Sequence, residues 1–286
     1  MDVSLMSIRG IENAIISLMM SKRTYTESKG KYIQYLVSHF TRSNGLLNTE
    51  IFNSKDYQQE KTEYIDWLNK LLKYGIIHEH ETLLRFIDLT FTIEGLHYGG
   101  LADLDSHSMR MNNRIVRSST RLAEYNGTEK SEWYKDKILN PTEYLQAEGL
   151  IPPVLKYKGE EYILRPFGYV KAGYEEDKDV LRGNYPLSVD SNCIFSINFI
   201  DFRHIYKVRG KHSKAHPELK DAVERMVGHL KRELPILGEI VDKEYSNGRK
   251  PHFVTFGNTI KVDALYYTML ESNKCKEEKE AAYLID

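Results

Sequence analysis

The chain has 286 residues, of which 40 are Lys or Arg and 41 are Asp or Glu, so its formal net charge is −1. This balance excludes a whole-molecule attraction to nucleic acid or anionic membrane, and no apolar run reaches the about 18 residues that a membrane helix needs. Two cysteines, Cys193 and Cys275, are too few for a disulfide framework, and we expect a soluble, cytoplasmic protein.

The first part of the sequence has the periodicity of helices, followed by that of a strand. Apolar residues recur at three- and four-residue spacing over 10–21 and 26–41, and a third helix is predicted from about Ser54 to Tyr74, ended by Gly75. Residues 83–95 alternate between two sets of side chains, which predicts a long strand with one buried face.

The rest of the sequence mixes the two patterns. It is helical from Leu96 to Arg121, predicts two short strands about a Lys158-Gly159 turn, and has a strand at 192–199 before an amphipathic helix at 215–234. A further strand and helix are predicted within the segment that follows His252, before a charged C-terminal tail. This order indicates an α+β fold with helices packed on a small mixed or antiparallel sheet, in a single domain over residues 1–286.

Four arginines in the predicted helix are separated by four, three and four residues: Arg110, Arg114, Arg117 and Arg121. Helical geometry would place them on one stripe, where like charges repel. The stripe is therefore either a solvated basic face or a surface that meets an anion or carboxylates from elsewhere in the chain. Ser118, Ser119 and Thr120 add hydroxyl donors, which phosphate recognition uses.

Two further groups of polar residues could carry chemistry. His78 and His80 precede the predicted strand, but a metal site would need another ligand, so we prefer structural hydrogen bonding and expect no metal site. A second group follows a strand of buried character, a good location for a ligand site: Asn198, Arg203, His204, Lys207 and Arg209. Of these, we expect Arg203 and Lys207 to be only the outward face of a helix. The sequence contains no glycine-rich phosphate loop, G-x-S-x-G elbow or H-E-x-x-H motif.

Five segments, in order over roughly residues 80–235, resemble motifs of the flavin-dependent thymidylate synthase family. HETLLRFIDLTFTIE at 80–94 is similar to H-E-T-P-F-E-H and its following strand, and Ser119-Thr120-Arg121 is similar to the end of R-H-R-x-x-S-x-N-E-x-S-x-R. INFIDFRHIYKVRG at 197–210 is similar to N-x-R-S-L-x-H-F-L-x-L-R. Arg182 lies sixteen residues before Asn198, again at the family separation, and AHPELKDAVERM is similar to A-Q-W-E-I-R at the start of a helix.

The resemblance implies a thymidylate synthase complementing protein-like fold and a homotetramer with active sites between subunits. It implies C5 methylation of dUMP, or a related modification such as hydroxymethylation, with methylenetetrahydrofolate as carbon donor and FAD reduced by NADPH. The flavin contacts would be His80, Thr82, Asn198 and His204. The dUMP contacts would be Arg121, Arg182, Arg209 and Ser119, of which Arg209 and Ser119 are the expected catalytic residues, Ser119 as a ligand contact and not a nucleophile.

The match to the family is incomplete. The R-H-R motif falls on Met109-Arg110-Met111, the Asn-Glu pair falls on Val116-Arg117, and the arginine of N-x-R is Ile200. His107, Arg110 or Arg114 are candidate substitutes, and the hairpin at about 150–172 is an added element. These departures leave open a nucleotide-binding protein without flavin redox chemistry. A nucleic-acid binder that uses the arginine stripe is disfavoured by the balanced charge.

Overall fold

The computed structural model describes residues 1–78, 80–111, 114–118, 130–135, 137, 145–165, 168–181, 183, 187–210 and 213–241. The main helices in these ranges are α1 (Ile11–Ser21), α2 (Glu27–Phe40), α3 (Thr49–Asn53), α4 (Gln58–Leu72), α5 (Tyr98–Met111), α6 (Glu132–Lys135), α7 (Lys178–Leu181), α8 (Phe199–Arg209), α9 (Pro217–Glu233) and α10 (Pro235–Val241). The strands are β1 (Asp2–Arg9), β2 (Asp88–His97), β3 (Arg114–Arg117), β4 (Val154–Tyr157), β5 (Glu160–Arg165), β6 (Gly168–Lys171) and β7 (Asp190–Asn198). A π-helical turn spans Lys73–Ile77 and a 3-10 helix spans Glu81–Phe86.

The main sheet has four strands in the order β1-β2-β7-β3, and each neighbouring pair is antiparallel. Along β2 and β7 every second side chain is buried, because one face of the sheet lies against helices while the other is open. The predicted α+β class, with helices on a small antiparallel sheet, is confirmed.

The buried face of the sheet meets helices α8 and α9. Phe91 of β2 stacks on Phe202 of α8 with ring centroids 5.4 Å apart, and both side chains are fully buried. Helix α9 has the apolar stripe that its periodicity predicted, and this stripe packs over β1 and β2. Its buried apolar residues are Leu219, Ala222, Val223, Met226, Val227 and Leu230. Burial of each large apolar side chain contributes about 1.5–3 kcal/mol, so this layer holds the start of α8 firmly in place.

Helices α1, α2 and α4 form a second part of the same core. Thr26 caps α2, because its hydroxyl accepts a hydrogen bond from the Lys29 amide at 3.3 Å. A tight turn then returns the chain to β1, where Gly45 has φ +77 and a Cβ atom there would lie 1.6 Å from the Ile8 carbonyl oxygen. Only glycine fits this approach.

Several predicted boundaries differ from the structure. The strand predicted at 83–95 begins only at Asp88, because residues 81–86 form the 3-10 helix. Helix α4 is shorter than predicted, and Gly75 does not cap it but lies in the π-helical turn against the Leu84 side chain. Strand β1 was not predicted from the sequence.

The predicted hairpin is confirmed and extended. Lys158 and Gly159 have φ values of 53 and 83, which a type I′ turn between β4 and β5 requires, and β6 adds a third antiparallel strand. No helix in the described ranges is both long and apolar enough to cross a lipid bilayer. The strand and helix predicted after His252 lie outside the described residues.

Candidate functional site

The carboxyl end of β7 leads directly into α8, and Asn198 makes the junction. Its Oδ1 atom accepts a hydrogen bond from the Asp201 amide at 3.0 Å, and its Nδ2 atom donates to Asp201 Oδ2 at 2.6 Å. Asn198 is therefore the N-cap of α8. The Asn198 side chain could therefore contact a ligand only while it also makes these two hydrogen bonds to Asp201.

Asp201 also fixes the segment that carries two of the predicted flavin contacts. Its side chain is 5% exposed, and its Oδ1 atom accepts a hydrogen bond from Arg85 Nη1 at 3.1 Å. Arg85 belongs to the 3-10 helix, which packs against α8. His80 and Thr82, both exposed, therefore lie on a segment that is held beside α8.

The remaining positions in α8 do not converge on Asn198. Ile200, at the position of the family arginine, is 7% exposed and belongs to the apolar core, so it offers no polar contact. His204 is exposed, but six residues of α-helix place it about 120° around the axis from Asn198. The predicted flavin residues are thus only partly brought together within one chain.

Arg209 is the last residue of α8. Eleven residues of helix put it on the same face as Asn198, about 16 Å further along the axis. Its Nε atom is buried without a hydrogen-bond partner and lies 3.7 Å from Asp103 Oδ2, an ion-pair distance. The Arg209 side chain is 28% exposed, so the guanidinium stays accessible to a ligand while Asp103 holds it at the end of α8.

Three predicted substrate contacts, Ser119, Arg121 and Arg182, lie outside the described residues. The structure does show where the chain enters the first of these segments. Ser118 follows β3, its amide donates to the Asn192 carbonyl at 2.8 Å, and its hydroxyl lies 2.8 Å from the Ser191 hydroxyl. The start of the serine-arginine segment is therefore anchored to β7.

The predicted arginine stripe is wrong where it can be compared with the structure. Arg114 and Arg117 belong to β3, not to a helix, because the β-branched residues between them pair with β7. An odd separation along a strand puts the two side chains on opposite faces. Each meets a carboxylate from elsewhere, Arg114 with Asp88 at 3.6 Å and Arg117 with Asp105 at 3.1 Å, as one of the two interpretations expected.

A buried polar cluster that the sequence did not predict lies where β2 meets the start of α9. The Nδ1 atom of His97 and the Ser131 hydroxyl both hydrogen-bond the same Glu218 carboxylate oxygen, the latter at 3.0 Å. His216 caps α9 through the Glu218 amide at 3.3 Å, and its Nε2 atom lies 2.9 Å from the Tyr134 hydroxyl. Since the partners are 87 and 121 residues from Glu218, only the fold brings them together.

The protonation of the cluster follows from these contacts. Burial alone would raise the pKa of Glu218, but hydrogen bonds from His97 and Ser131 outweigh it and leave the pKa below its usual value. Burial and the neighbouring His97 lower the pKa of His216. At neutral pH the cluster therefore holds a carboxylate and a neutral His216.

The histidines before β2 are not part of any such cluster. Within the described ranges, the only group of three side chains with metal-ligand spacing is His97, His216 and Glu218. The His80 amide donates to the Tyr74 carbonyl at 3.1 Å, and its side chain does not cap the 3-10 helix. The preference for structural hydrogen bonding over metal binding at His78 and His80 stays a prediction, because Glu79 between them lies outside the described residues.

A cavity of about 620 Å³ lies on another side of the molecule, between the start of α1 and the turn after α2. Its polar lining includes Arg9, Glu12, Gln34 and Arg42. Of the predicted contacts that the structure describes, His80, Thr82, Asn198, His204 and Arg209, none lines this cavity.

Comparison with known proteins gives one family match. The model of the family described as thymidylate synthase complementing protein matches residues 23–236. No curated protein matches the sequence. A flavin-dependent thymidylate synthase from Helicobacter pylori, solved with FAD and dUMP, is 14% identical with a TM-score of 0.49, over 85% of this chain and 100% of the other. A UMP/dUMP methylase from Streptomyces cacaoi, solved with 5-Br dUMP, is 12% identical with a TM-score of 0.44, over 83% and 93%.

Proposed function

The chain belongs to the thymidylate synthase complementing protein family, and we propose that it catalyses flavin-dependent C5 methylation of dUMP or a closely related C5 one-carbon modification. The proposed carbon donor is methylenetetrahydrofolate, and NADPH is the proposed reductant of FAD. When bound, reduced FAD would supply the hydride that completes the transferred carbon.

One observation in the structure carries the proposal. The guanidinium of Arg209 is held at the end of α8 by Asp103, and its side chain is still 28% exposed. A positioned, accessible guanidinium can bind a carbonyl oxygen of a pyrimidine and stabilise negative charge that develops on the ring. Arg121, Arg182 and Ser119 are proposed to bind the remainder of dUMP, with the arginines on its phosphate.

The described residues fit a flavin in part. His80 and Thr82 are exposed on the 3-10 helix segment, and their position beside α8 is fixed by the Arg85–Asp201 ion pair. They offer an imidazole and a hydroxyl to a flavin ring or its phosphates. The Asn198 side chain already caps α8, so any contact that it makes with a flavin must leave this cap in place. His204 would contact the flavin from another face of the helix.

The separation along α8 supports an active site that is shared between subunits. Asn198 lies at the start of α8, beside the segment that carries His80 and Thr82, and Arg209 lies about 16 Å away at its end. The open face of the sheet also exposes apolar side chains, with Ile194 45% and Val116 68% exposed on paired strands. We propose that copies of the chain cover these surfaces in a homotetramer.

A second candidate function is nucleotide binding without redox chemistry. Two observations favour it: Ile200 is buried where the family has an arginine, and both polar atoms of the Asn198 side chain serve the helix cap. Such a protein would keep Arg209 for a nucleotide and would bind little or no FAD.

The visible absorption spectrum separates the two candidates. The purified chain is titrated with FAD and then with dUMP, while light scattering on a sizing column measures the mass of the assembly. Bound flavin with a spectrum that changes on addition of dUMP supports the enzyme, whereas dUMP binding without flavin binding supports the second candidate. Absence of both would contradict the whole proposal.

The remaining features of the account are also proposals. We propose a single domain over residues 1–286, in which the hairpin of β4 and β5 is an addition to the family fold. A cytoplasmic location is proposed from the sequence, which has two cysteines, of which Cys193 is buried and unpaired. Burial raises the pKa of the Cys193 thiol to about 12, so we assign it no catalytic role.

A further inference from the structure

The cluster of His97, His216 and Glu218 lies outside the site proposed for flavin and dUMP. His97 is the last residue of β2, and His216 and Glu218 lie at the start of α9. The packing of α9 on β2 therefore brings the three side chains together. His97 and Glu218 are each 4% exposed and His216 is half-buried. None of the three residues has a role in the proposed methylation.

The three side chains have the donor atoms and spacing of a metal site. One ligand atom from each, two imidazole nitrogens and a carboxylate oxygen, lies within 4.8 Å of the others. In a tetrahedral zinc site with bonds of about 2.0–2.1 Å, ligand atoms are about 3.3 Å apart. Side-chain adjustments of about 1 Å would therefore bring all three to bonding distance.

We propose that His97, His216 and Glu218 bind a divalent transition-metal ion, with zinc as the expected cation. Two imidazoles with one carboxylate favour zinc and its neighbours over magnesium or calcium, which prefer oxygen ligands. A metal bound to His97 Nδ1 would replace its hydrogen bond to Glu218, and the ring proton would move to Nε2.

The surroundings support the ligands from behind, as metal sites require. The Ser131 hydroxyl hydrogen-bonds the Glu218 carboxylate at 3.0 Å. His216 uses both ring nitrogens in hydrogen bonds, Nδ1 with the Glu218 amide and Nε2 with the Tyr134 hydroxyl, so a bound metal would replace one of the two and the other would orient the ring. The ring of His97 is closely packed, because a Cβ atom at Gly100 would lie 2.8 Å from its Cε1 atom. Trp133 lies edge-on to the His216 ring, with ring centroids 4.3 Å apart.

A divalent cation bound by these three side chains would join the end of β2 to the start of α9 through one centre.

The test uses the full-length chain after treatment with a chelator and removal of the chelator. Cobalt is added and the visible d–d bands are recorded, and zinc binding is measured by calorimetry. We expect one cation per chain and a rise in the unfolding temperature with zinc. We also expect strong visible bands that indicate a low coordination number for the bound cobalt. Glu218→Gln and His216→Asn, which keep a hydrogen-bonding side chain, should each weaken binding at least tenfold.

His229→Ala is the matched control, because His229 lies on the same helix outside the cluster and should leave binding unchanged. Natively folded wild-type chain that gives neither cobalt bands nor zinc heat would overturn the proposal, whatever the variants do. Equal binding by wild type and both cluster variants would also overturn it, since the cation would then sit elsewhere. The test does not depend on FAD or dUMP, so its outcome is independent of the proposed function.

Discussion

Asp201 accepts a 3.1 Å hydrogen bond from Arg85, a residue 116 positions earlier in the sequence. The same carboxylate accepts from Asn198 Nδ2 through its other oxygen. One buried acid therefore joins the 3-10 helix to the N-terminus of α8, and with it the predicted flavin contacts on both segments.

Asp201→Ala should destabilise the fold by about 2–3 kcal/mol, because it removes a charge-assisted hydrogen bond and part of the cap of α8. Arg225→Ala is the matched control, since Arg225 pairs with Asp221 on the surface of α9 and its loss should cost less than about 1 kcal/mol. Urea unfolding followed by circular dichroism measures both. Equal costs for the two variants would show that Asp201 is not the connecting residue.

Arg209→Ala should reduce dUMP affinity at least about tenfold, since a charge-assisted hydrogen bond is worth roughly 1.5–3 kcal/mol. Arg209→Lys should recover little of this loss, because an ammonium cannot reproduce the planar fork of the guanidinium. Arg225→Ala is the control, as Arg225 pairs with Asp221 on the surface of α9. Calorimetric titration with dUMP measures the three variants, and wild-type affinity in Arg209→Ala would remove this residue from the site.

Two glycines predict opposite effects of alanine. Gly45→Ala should cost more than about 2 kcal/mol, because φ is +77 and the new Cβ would overlap the Ile8 carbonyl oxygen. Gly228 lies inside α9 with open space around it, so Gly228→Ala should stabilise by about 0.5–1 kcal/mol. Thermal unfolding of both variants checks the prediction, and a stabilised Gly45→Ala would show that the turn after α2 is placed wrongly.

The cluster at the start of α9 predicts how stability depends on pH. His216 has a folded-state pKa below its usual 6.5, so the unfolded chain binds more protons and stability falls as pH drops below about that value. Glu218 adds a second loss below its usual 4.5, since its folded-state pKa is also lowered. Burial also lowers the pKa of His229, which contributes with the same sign as His216.

His216→Asn isolates this term, because asparagine keeps the N-cap of α9 but does not titrate. Unfolding midpoints measured in chelator between about pH 7 and about pH 5 should fall less steeply in the variant than in wild type. An identical slope in both proteins would mean that His216 does not contribute. His229→Ala gives the corresponding measurement for the other histidine.

The local sequence pattern was sufficient to predict those helices and strands in which buried residues recur regularly along the element. Helices α2 and α9 and the alternating part of β2 were predicted, because a one-sided apolar stripe has few other solutions. Strand β3 was not, since the four residues Arg114–Arg117 also fit helical spacing and form a strand only by pairing with β7. Strand β1 likewise depends on its pairing with β2, about 80 residues away, and carries a bulge between Leu5 and Ser7.

The candidate site could be predicted only as far as its motifs extend. Asn198 and Arg209 were found because their spacing resembles a family pattern, and the structure puts them on one helix face. The link between Arg85 and Asp201 has no sequence signal, since it joins two positions 116 residues apart. The cluster of His97, His216 and Glu218 was missed for the same reason, although a histidine that ends an apolar strand is an unusual feature.

The most direct test of the central claim is the product formed from dUMP. The wild-type chain is incubated without oxygen with FAD, NADPH, methylenetetrahydrofolate and dUMP, and the nucleotides are analysed by mass spectrometry, with Arg209→Ala as control. The account predicts a nucleotide heavier by one methyl or hydroxymethyl group on the pyrimidine ring, formed by wild type and not by the variant. Unmodified dUMP in the wild-type reaction, from protein shown to bind both FAD and dUMP, would contradict it.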